Sequence, residues 1–163
     1  MLISFLLIKL KIGTTQFICY IQSLSDKWSP SWSDVEYVGR PDKAHIYKGF
    51  GRSISFNFIV AAMTKAELSV VWGKCQKLAQ LCAPKVNTTG IMTGPKTTLQ
   101  IGNYFQPKEL PGHIDSLTFD IDDNYPWDIE EKAPMYVKVD ITFTPTFYKT
   151  PTSTTEYFGN MIT

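Results

Sequence analysis

The strongest alternation in the chain runs from Ser53 to Val60, where Ile54, Phe56 and Phe58 take one face and Ser53, Ser55 and Asn57 the other. A period of two marks a half-buried strand. Met135 to Phe143 repeats it, with Val137, Val139, Ile141 and Phe143 opposite Tyr136, Lys138, Asp140 and Thr142. Near the N-terminus Lys9-Leu10-Lys11-Ile12 alternates, Gly13-Thr14-Thr15 offers a turn, and Gln16 to Leu24 resumes a β-rich run, which predicts a hairpin. Shorter β-like runs at Thr97 to Ile101, Tyr104-Phe105 and Ile114 to Ile121 are separated by Pro and Gly.

Over residues 64–82 the period changes. Thr64-Lys-Ala-Glu67 is a capping box, in which the threonine oxygen accepts from the glutamate N–H and the carboxylate reaches back. Leu68, Val71, Trp72, Cys75, Leu78, Ala79 and Cys82 then recur at three- and four-residue steps, leaving Lys74, Lys77 and Gln80 outside, until Pro84 ends the pattern. One amphipathic helix follows. Six or seven strands and one helix predict an α+β fold, with the helix covering one face of an antiparallel sheet.

Two stretches do not alternate. Ser25 to Arg52 is polar and aromatic and is broken by Pro30, Gly39, Pro41 and Gly49, so it reads as a long loop over 25–52. A loop of that length is usually functional. Residues 144–163 are rich in Thr and Pro and read as an extended tail. No repeat or second domain interrupts the chain, and residues 1–163 read as a single domain.

Composition narrows the class. Hydrophobic residues at 44% and charged residues at 19% exclude a disordered chain, and four Trp, eight Tyr and ten Phe supply many interface-prone rings. Three cysteines are too few for a disulfide scaffold, which points to a reducing compartment. Cys75 and Cys82 stand seven positions apart on one predicted helix, about 10 Å of rise, too far to bridge. They read as small core residues. The apolar run at the N-terminus ends after Ile8, lacks a positive leading region and is too short to cross a bilayer, so neither a targeting signal nor membrane insertion is expected.

The net charge of +1 conceals an uneven distribution: residues 1–108 carry thirteen Lys/Arg and five Asp/Glu, whereas Glu109 to Glu131 carries eight acids and no Lys or Arg. Without a dense basic run, a sequence-specific DNA-binding surface is not expected.

Candidate chemistry is sparse. His45 and His113 belong to no nucleophile elbow or metal-binding helix motif and read as turn or surface residues. The cysteines lie in apolar settings that raise a thiol pKa. Asp120, Asp122 and Asp123 cluster, yet acids in a turn are common. Asp120 to Glu131 places oxygens at several positions of a calcium loop, but Tyr125 occupies the place that needs glycine. No catalytic residue, metal or cofactor is therefore expected.

The series Leu24-Ser-Asp-Lys-Trp-Ser-Pro-Ser-Trp, Tyr37-Val-Gly-Arg-Pro-Asp-Lys, Tyr47-Lys-Gly-Phe, Ser53-Ile-Ser-Phe-Asn-Phe, Lys65-Ala-Glu-Leu and Leu78-Ala-Gln-Leu-Cys-Ala-Pro resembles baseplate tube proteins of contractile-tailed bacteriophages. Downstream, Thr93-Gly-Pro, Leu99-Gln-Ile-Gly-Asn, Leu110-Pro-Gly, Asp122-Asp-Asn-Tyr-Pro-Trp-Asp-Ile and Ile141-Thr-Phe-Thr-Pro extend the likeness over about residues 15 to 147. The resemblance implies a tail-tube fold, an antiparallel β-sandwich or barrel flanked by one helix. It also implies a non-enzymatic structural virion protein, a hexameric baseplate or tube-initiator ring that joins the central hub to the tail tube and lines the DNA channel, assembled in the host cytoplasm.

Its partners would be copies of itself, neighbouring tube and hub proteins and the tape-measure protein, with DNA passing unbound. The 25–52 segment resembles the family's inter-subunit contact, which makes Trp28, Trp32, Arg40 and Asp42 the expected interface residues. Asp115, Asp120, Asp122, Asp123 and Asp128 would form an acidic docking face or a lumen wall that repels phosphate. The alternatives are a repeating tube subunit, a secretion-system tube homologue, a monomeric binding module and, from another class, a baseplate-associated cell-wall hydrolase.

Overall fold

The computed structural model describes residues 8–159; the expectation about the N-terminal apolar run falls mainly on residues 1–7, outside them. The chain order is β1 (Ile8–Ile12), β2 (Thr15–Val35), β3 (Ala44–Ala61), α1 (Lys65–Gln80), β4 (Lys85–Val86), β5 (Met92–Thr93), β6 (Thr97–Ile101), β7 (Leu110–Asp120), β8 (Trp127–Asp128), β9 (Ala133–Pro134) and β10 (Tyr136–Pro145).

Six strands close into an antiparallel barrel in the order β1-β2-β3-β10-β7-β6, and β6 pairs back on β1. The expected sandwich-or-barrel is thus a barrel. Closure satisfies the margins of these six strands internally, so among the described residues the barrel itself presents no open sheet edge.

Alternation fills its interior. Leu10, Phe17, Ile54, Phe58, Leu99, Val139 and Phe143 are buried from strand after strand. The β1–β2 hairpin forms as expected, in register Ile12↔Thr15, with Gly13 at φ 57 in the turn. That left-handed conformation favours glycine.

Helix α1 closes the wall beside this hairpin through Leu68, Cys75 and Leu78, with Val71 and Trp72 half-buried. Glu67 N donates to Thr64 Oγ1 at 3.3 Å as the capping box requires, and the Glu67 carboxylate reaches one residue past the cap, accepting from Met63 N at 2.9 Å. The helix ends before the expected residue 82. Ala79 and Cys82 are exposed, whereas Lys74 lays its ammonium 5.6 Å from the Phe17 ring centroid. Lysine can cover an aromatic edge with its aliphatic stem.

Cys19 and Cys75 are buried, which pushes their thiols up to about 12 and about 11. A disulfide-exchange reagent at pH 8 is expected to titrate Cys82 rapidly and the other two only after denaturation. Fast labelling of all three in the native protein would contradict this burial. A thiol whose pKa is raised by folding stabilises the folded state fully below its ordinary value. That contribution is lost as pH climbs above about 9 toward the folded values, because only the unfolded thiols ionise there.

The largest correction concerns residues 25–52. They form no loop: β2 and β3 continue past the barrel as a two-stranded ribbon, paired from Lys27↔Ser53 to Val35↔Ala44, leaving only residues 36–43 to turn at the tip. Two bulges hide this from periodicity. Opposite Ile21↔Phe58 and Ser23↔Asn57, β2 carries Gln22 as an extra residue, so its inward positions switch from odd (Phe17, Cys19) to even (Leu24, Asp26). The Asn57 side chain accepts from the displaced Ser23 N at 2.8 Å. A second bulge leaves Lys48 unpaired between Ser31↔Gly49 and Trp32↔Tyr47. Pro30 is tolerated because ribbon strands are edge strands.

Residues 144–159 also depart from the extended tail expected there. Strand β10 runs to Pro145, and the chain then folds back until Phe158 bridges Phe105, with Gln106 N donating to Tyr157 O at 3.1 Å and Gly159 N to Tyr104 O at 3.1 Å. Residues 160–163 lie outside the described residues.

Candidate functional site

The ribbon's register places Asp26/Ile54, Trp28/Arg52, Pro30/Phe50, Trp32/Tyr47 and Asp34/His45 on one side, continuing the barrel's inward face out of the barrel. Its base is tightly built. Arg52 has no exposed side-chain surface and donates to Asp26 from Nε at 2.9 Å and Nη2 at 2.6 Å. Its guanidinium carbon lies 4.4 Å from the Trp28 ring centroid, 5.4 Å from Phe105, 5.8 Å from Phe158 and 5.9 Å from Tyr157. Trp28 in turn meets Tyr157 edge-on at 4.8 Å and Phe50 at 5.5 Å. A fork-on-fork ion pair inside an aromatic box fixes geometry as well as energy. Burial, then the Asp26 charge, pushes the neighbouring Tyr104 phenol up, with Arg52 opposing.

Outward from this base the rings lose their cover. Trp32 is 57% exposed and Tyr47 51%, and the two rings meet edge-on at 5.1 Å. Beyond them His45 Nδ1 and Asp34 stand 2.7 Å apart. At the tip Arg40 pairs with Asp42 at 3.1 Å and Lys43 with Glu36 at 2.6 Å, all well exposed. Of the four expected interface residues, Trp32 on the ribbon and Arg40 and Asp42 at its tip are exposed, while Trp28 is used within the chain's own cluster.

The five expected acids do not make one plate. Asp115 is the bulged residue of β7 between Ile114↔Phe143 and Ser116↔Thr142, accepting from Thr144 Oγ1 and lying 3.0 Å from His113 Nε2. Asp120 ends β7 opposite Lys138. Asp122 accepts from Asn124 N at 2.9 Å and Asn124 Nδ2 at 2.6 Å; that backbone bond, helped by Asp123 and the Asn124 side chain, lowers its pKa. Asp123 shares this turn, and Asp128 accepts from Glu130 N at 2.9 Å and Glu131 N at 3.0 Å. Among the described residues no three ligating side chains gather as a metal site would require. Nor is any described helix long and apolar enough to cross a membrane.

Cys82 and His113 line one depression, with Asp115 beside the histidine. The arrangement is not that of an activated nucleophile. The Cys82 Sγ–H donates to Leu78 O at 3.7 Å, and although the residue is exposed, partial covering of its sulfur raises the pKa.

Two features escaped the sequence reading. The Asp26–Arg52 pair was hidden because both lay in the supposed loop. The other is a hydroxyl-rich patch on the outside of β2, β3, β10 and β7, where Ser23, Ser25, Ser55, Asn57, Ser116, Thr118, Asp140 and Thr142 line a shallow hollow of about 170 Å³. Its one charged lining residue is Asp140, which Lys138 approaches to 3.9 Å. Alternation marked several of these positions as outward; pairing across four strands made them one surface.

The fold and this site together define a small antiparallel barrel carrying a rigidly based, aromatic ribbon. No family model and no curated protein matches the chain. Among solved structures it is similar to the SPP1 Dit protein of a hub adsorption apparatus in phages infecting Gram-positive hosts, at 12% identity and TM-score 0.49 over 85% of this chain. The chain spans about half of that protein, 49% of its length. It is also similar to a chain from the tail of an empty GTA particle with C6 symmetry, at 16% identity and TM-score 0.43 over 91% of this chain and 96% of that one.

Proposed function

We propose that the chain is a structural, non-catalytic subunit of a contractile phage tail, a tube initiator at the baseplate whose copies close into a ring between the central hub and the tail tube. The observation that carries this reading is the ribbon. It holds Trp32 and Tyr47 away from the barrel, and among the described residues its strand margins have no partner beyond each other. Such margins and rings are completed by another chain. The sequence resemblance supplies the kind of assembly and the copy number of six.

The hydroxyl-rich sheet face is the surface best suited to a DNA channel. Short Ser, Thr and Asn side chains keep it smooth, and the one charged residue of its lining, Asp140, is a carboxylate that offers phosphates no counter-charge.

Trp32→Ala is the test. Trp32 touches little of its own barrel, so unfolding free energy should change by less than about 1 kcal/mol, while ring particles in negative stain and the assembled species in sedimentation should be lost. Wild-type protein that stays monomeric, alone and with tail partners, would refute the proposal.

A further inference from the structure

Two small hairpins stand off the barrel at opposite ends, and each carries apolar side chains that the chain itself leaves in water. The first is β4–β5, paired Lys85↔Thr93 and Val86↔Met92 and closed by Asn87 N donating to Ile91 O at 3.0 Å and Gly90 N to Asn87 O at 2.9 Å. Every residue from Cys82 to Gly94 is exposed, among them Val86 at 61%, Ile91 at 62% and Met92 at 71%. A lone two-stranded hairpin is marginal in water, and this one places none of its side chains in the core. The second is β8–β9, where Trp127 is 50% exposed and Ile129, just beyond the strand, 90%.

Their surroundings carry opposite charge. Residues 68–108 hold five lysines and no acid. Of these, Lys77 lies in the last turn of α1, Lys85 in β4, and Lys96 in the depression at the hairpin's base. Among the described residues no carboxylate pairs with any of the three. Residues 122–131 hold five acids and no Lys or Arg, and among the described residues only Glu130 has a lysine partner, Lys65 at the start of α1.

One chain cannot bring these hairpins together. The β4–β5 hairpin leads into Thr97, which pairs with Gly112 near the start of β7, whereas β8–β9 follows Asp120 at the end of that strand, roughly 25 Å away at the normal rise. Helix α1 spans the same interval, with Lys65 against Glu130 and its other end running toward β4.

We infer that the β4–β5 hairpin of one copy docks on the β8–β9 hairpin of a second copy, Val86, Ile91 and Met92 against Trp127 and Ile129, with Lys85 and Lys96 facing the acids of residues 122–131. An apolar centre inside a complementary charged rim is the anatomy of a specific interface. Like ends repel, so the order is head-to-tail, the kind of contact that generates a ring when its rotation closes. This inference rests on the self-assembly proposed above and adds a second contact to the one at Trp32.

The experiment uses the full chain with Val86 replaced by p-benzoylphenylalanine, mixed with an isotopically heavy, otherwise wild-type chain and irradiated after assembly. Cross-links between light and heavy chains should map to residues 121–132. In a second arm the light chain also carries Lys85→Glu and Lys96→Glu, which should cut that yield on the order of tenfold, the effect of a modest loss of contact energy. In a third the heavy chain carries Asp123→Lys and Glu131→Lys, and the yield should return. All four positions are exposed, so the barrel is left alone. Rings whose cross-links are missing or map elsewhere, a yield indifferent to the lysine reversals, or one that the heavy chain's reversals do not restore would overturn this inference and leave the ring function standing. A chain that forms neither rings nor intermolecular cross-links would overturn both.

Discussion

Arg52→Met is expected to lower the unfolding free energy by about 3–5 kcal/mol, the cost of stranding one partner of a buried ion pair. Asp26 is 7% exposed at its side chain and takes both of its charged hydrogen bonds from Arg52. The substitution keeps most of the side-chain volume inside the aromatic box, so the loss reports the unpaired carboxylate and not a void. Urea titration measures it. The companion variant Arg52→Met/Asp26→Leu should recover most of the loss, because apolar replacement of a whole buried pair is often neutral or better. A single-variant loss below about 1 kcal/mol would mean that water reaches Asp26 and that the pair behaves as a surface one.

The second large effect is steric. A Cβ built on Gly112 would lie 2.3 Å from Thr144 O, 2.6 Å from Phe143 Cζ and 2.8 Å from Phe143 Cε1. The oxygen belongs to the β10 backbone and the ring is fully buried, so neither can move aside cheaply. Gly112→Ala should therefore cost about 3 kcal/mol or more, the upper range for forcing atoms into a filled interior. It should show as a lowered melting temperature. Gly49→Ala is the control, since nothing lies within 4 Å of its Cβ, and should stay within about 1 kcal/mol. Phe143→Leu added to Gly112→Ala should restore only part of the loss, because the Thr144 carbonyl remains. A Gly112→Ala protein as stable as the Gly49→Ala control would show that the β7–β10 register is softer than its pairing indicates.

What the sequence revealed depended on whether period and register agreed. Around Ile54, Phe56 and Phe58, and again from Val137 to Phe143, each inward residue is buried where alternation places it. The cap at Thr64 and Glu67 was legible because its partners are three residues apart. Residues 25–52 were not legible, for a definite reason. The extra residue at Gln22 reverses parity, and Pro30, Gly49 and Gly51 occur in strands whose margins lack the usual penalty. The same misreading concealed the candidate site. Asp26, Trp28 and Arg52 meet only once the two halves of the ribbon are paired, and Tyr157 and Phe158 arrive from more than a hundred residues away.

Lys48 divides the ribbon into two pieces with different freedoms. Inward of it, Phe50 and Arg52 are clamped by rings from Tyr157 and Phe158; outward of it, among the described residues, the strands pair only with one another. Bend and twist concentrate where two residues oppose one, so this position acts as an elbow. Removing or adding a residue there would re-aim the outer piece while the barrel kept its shape, so the direction of the tip is set at a single place in the chain.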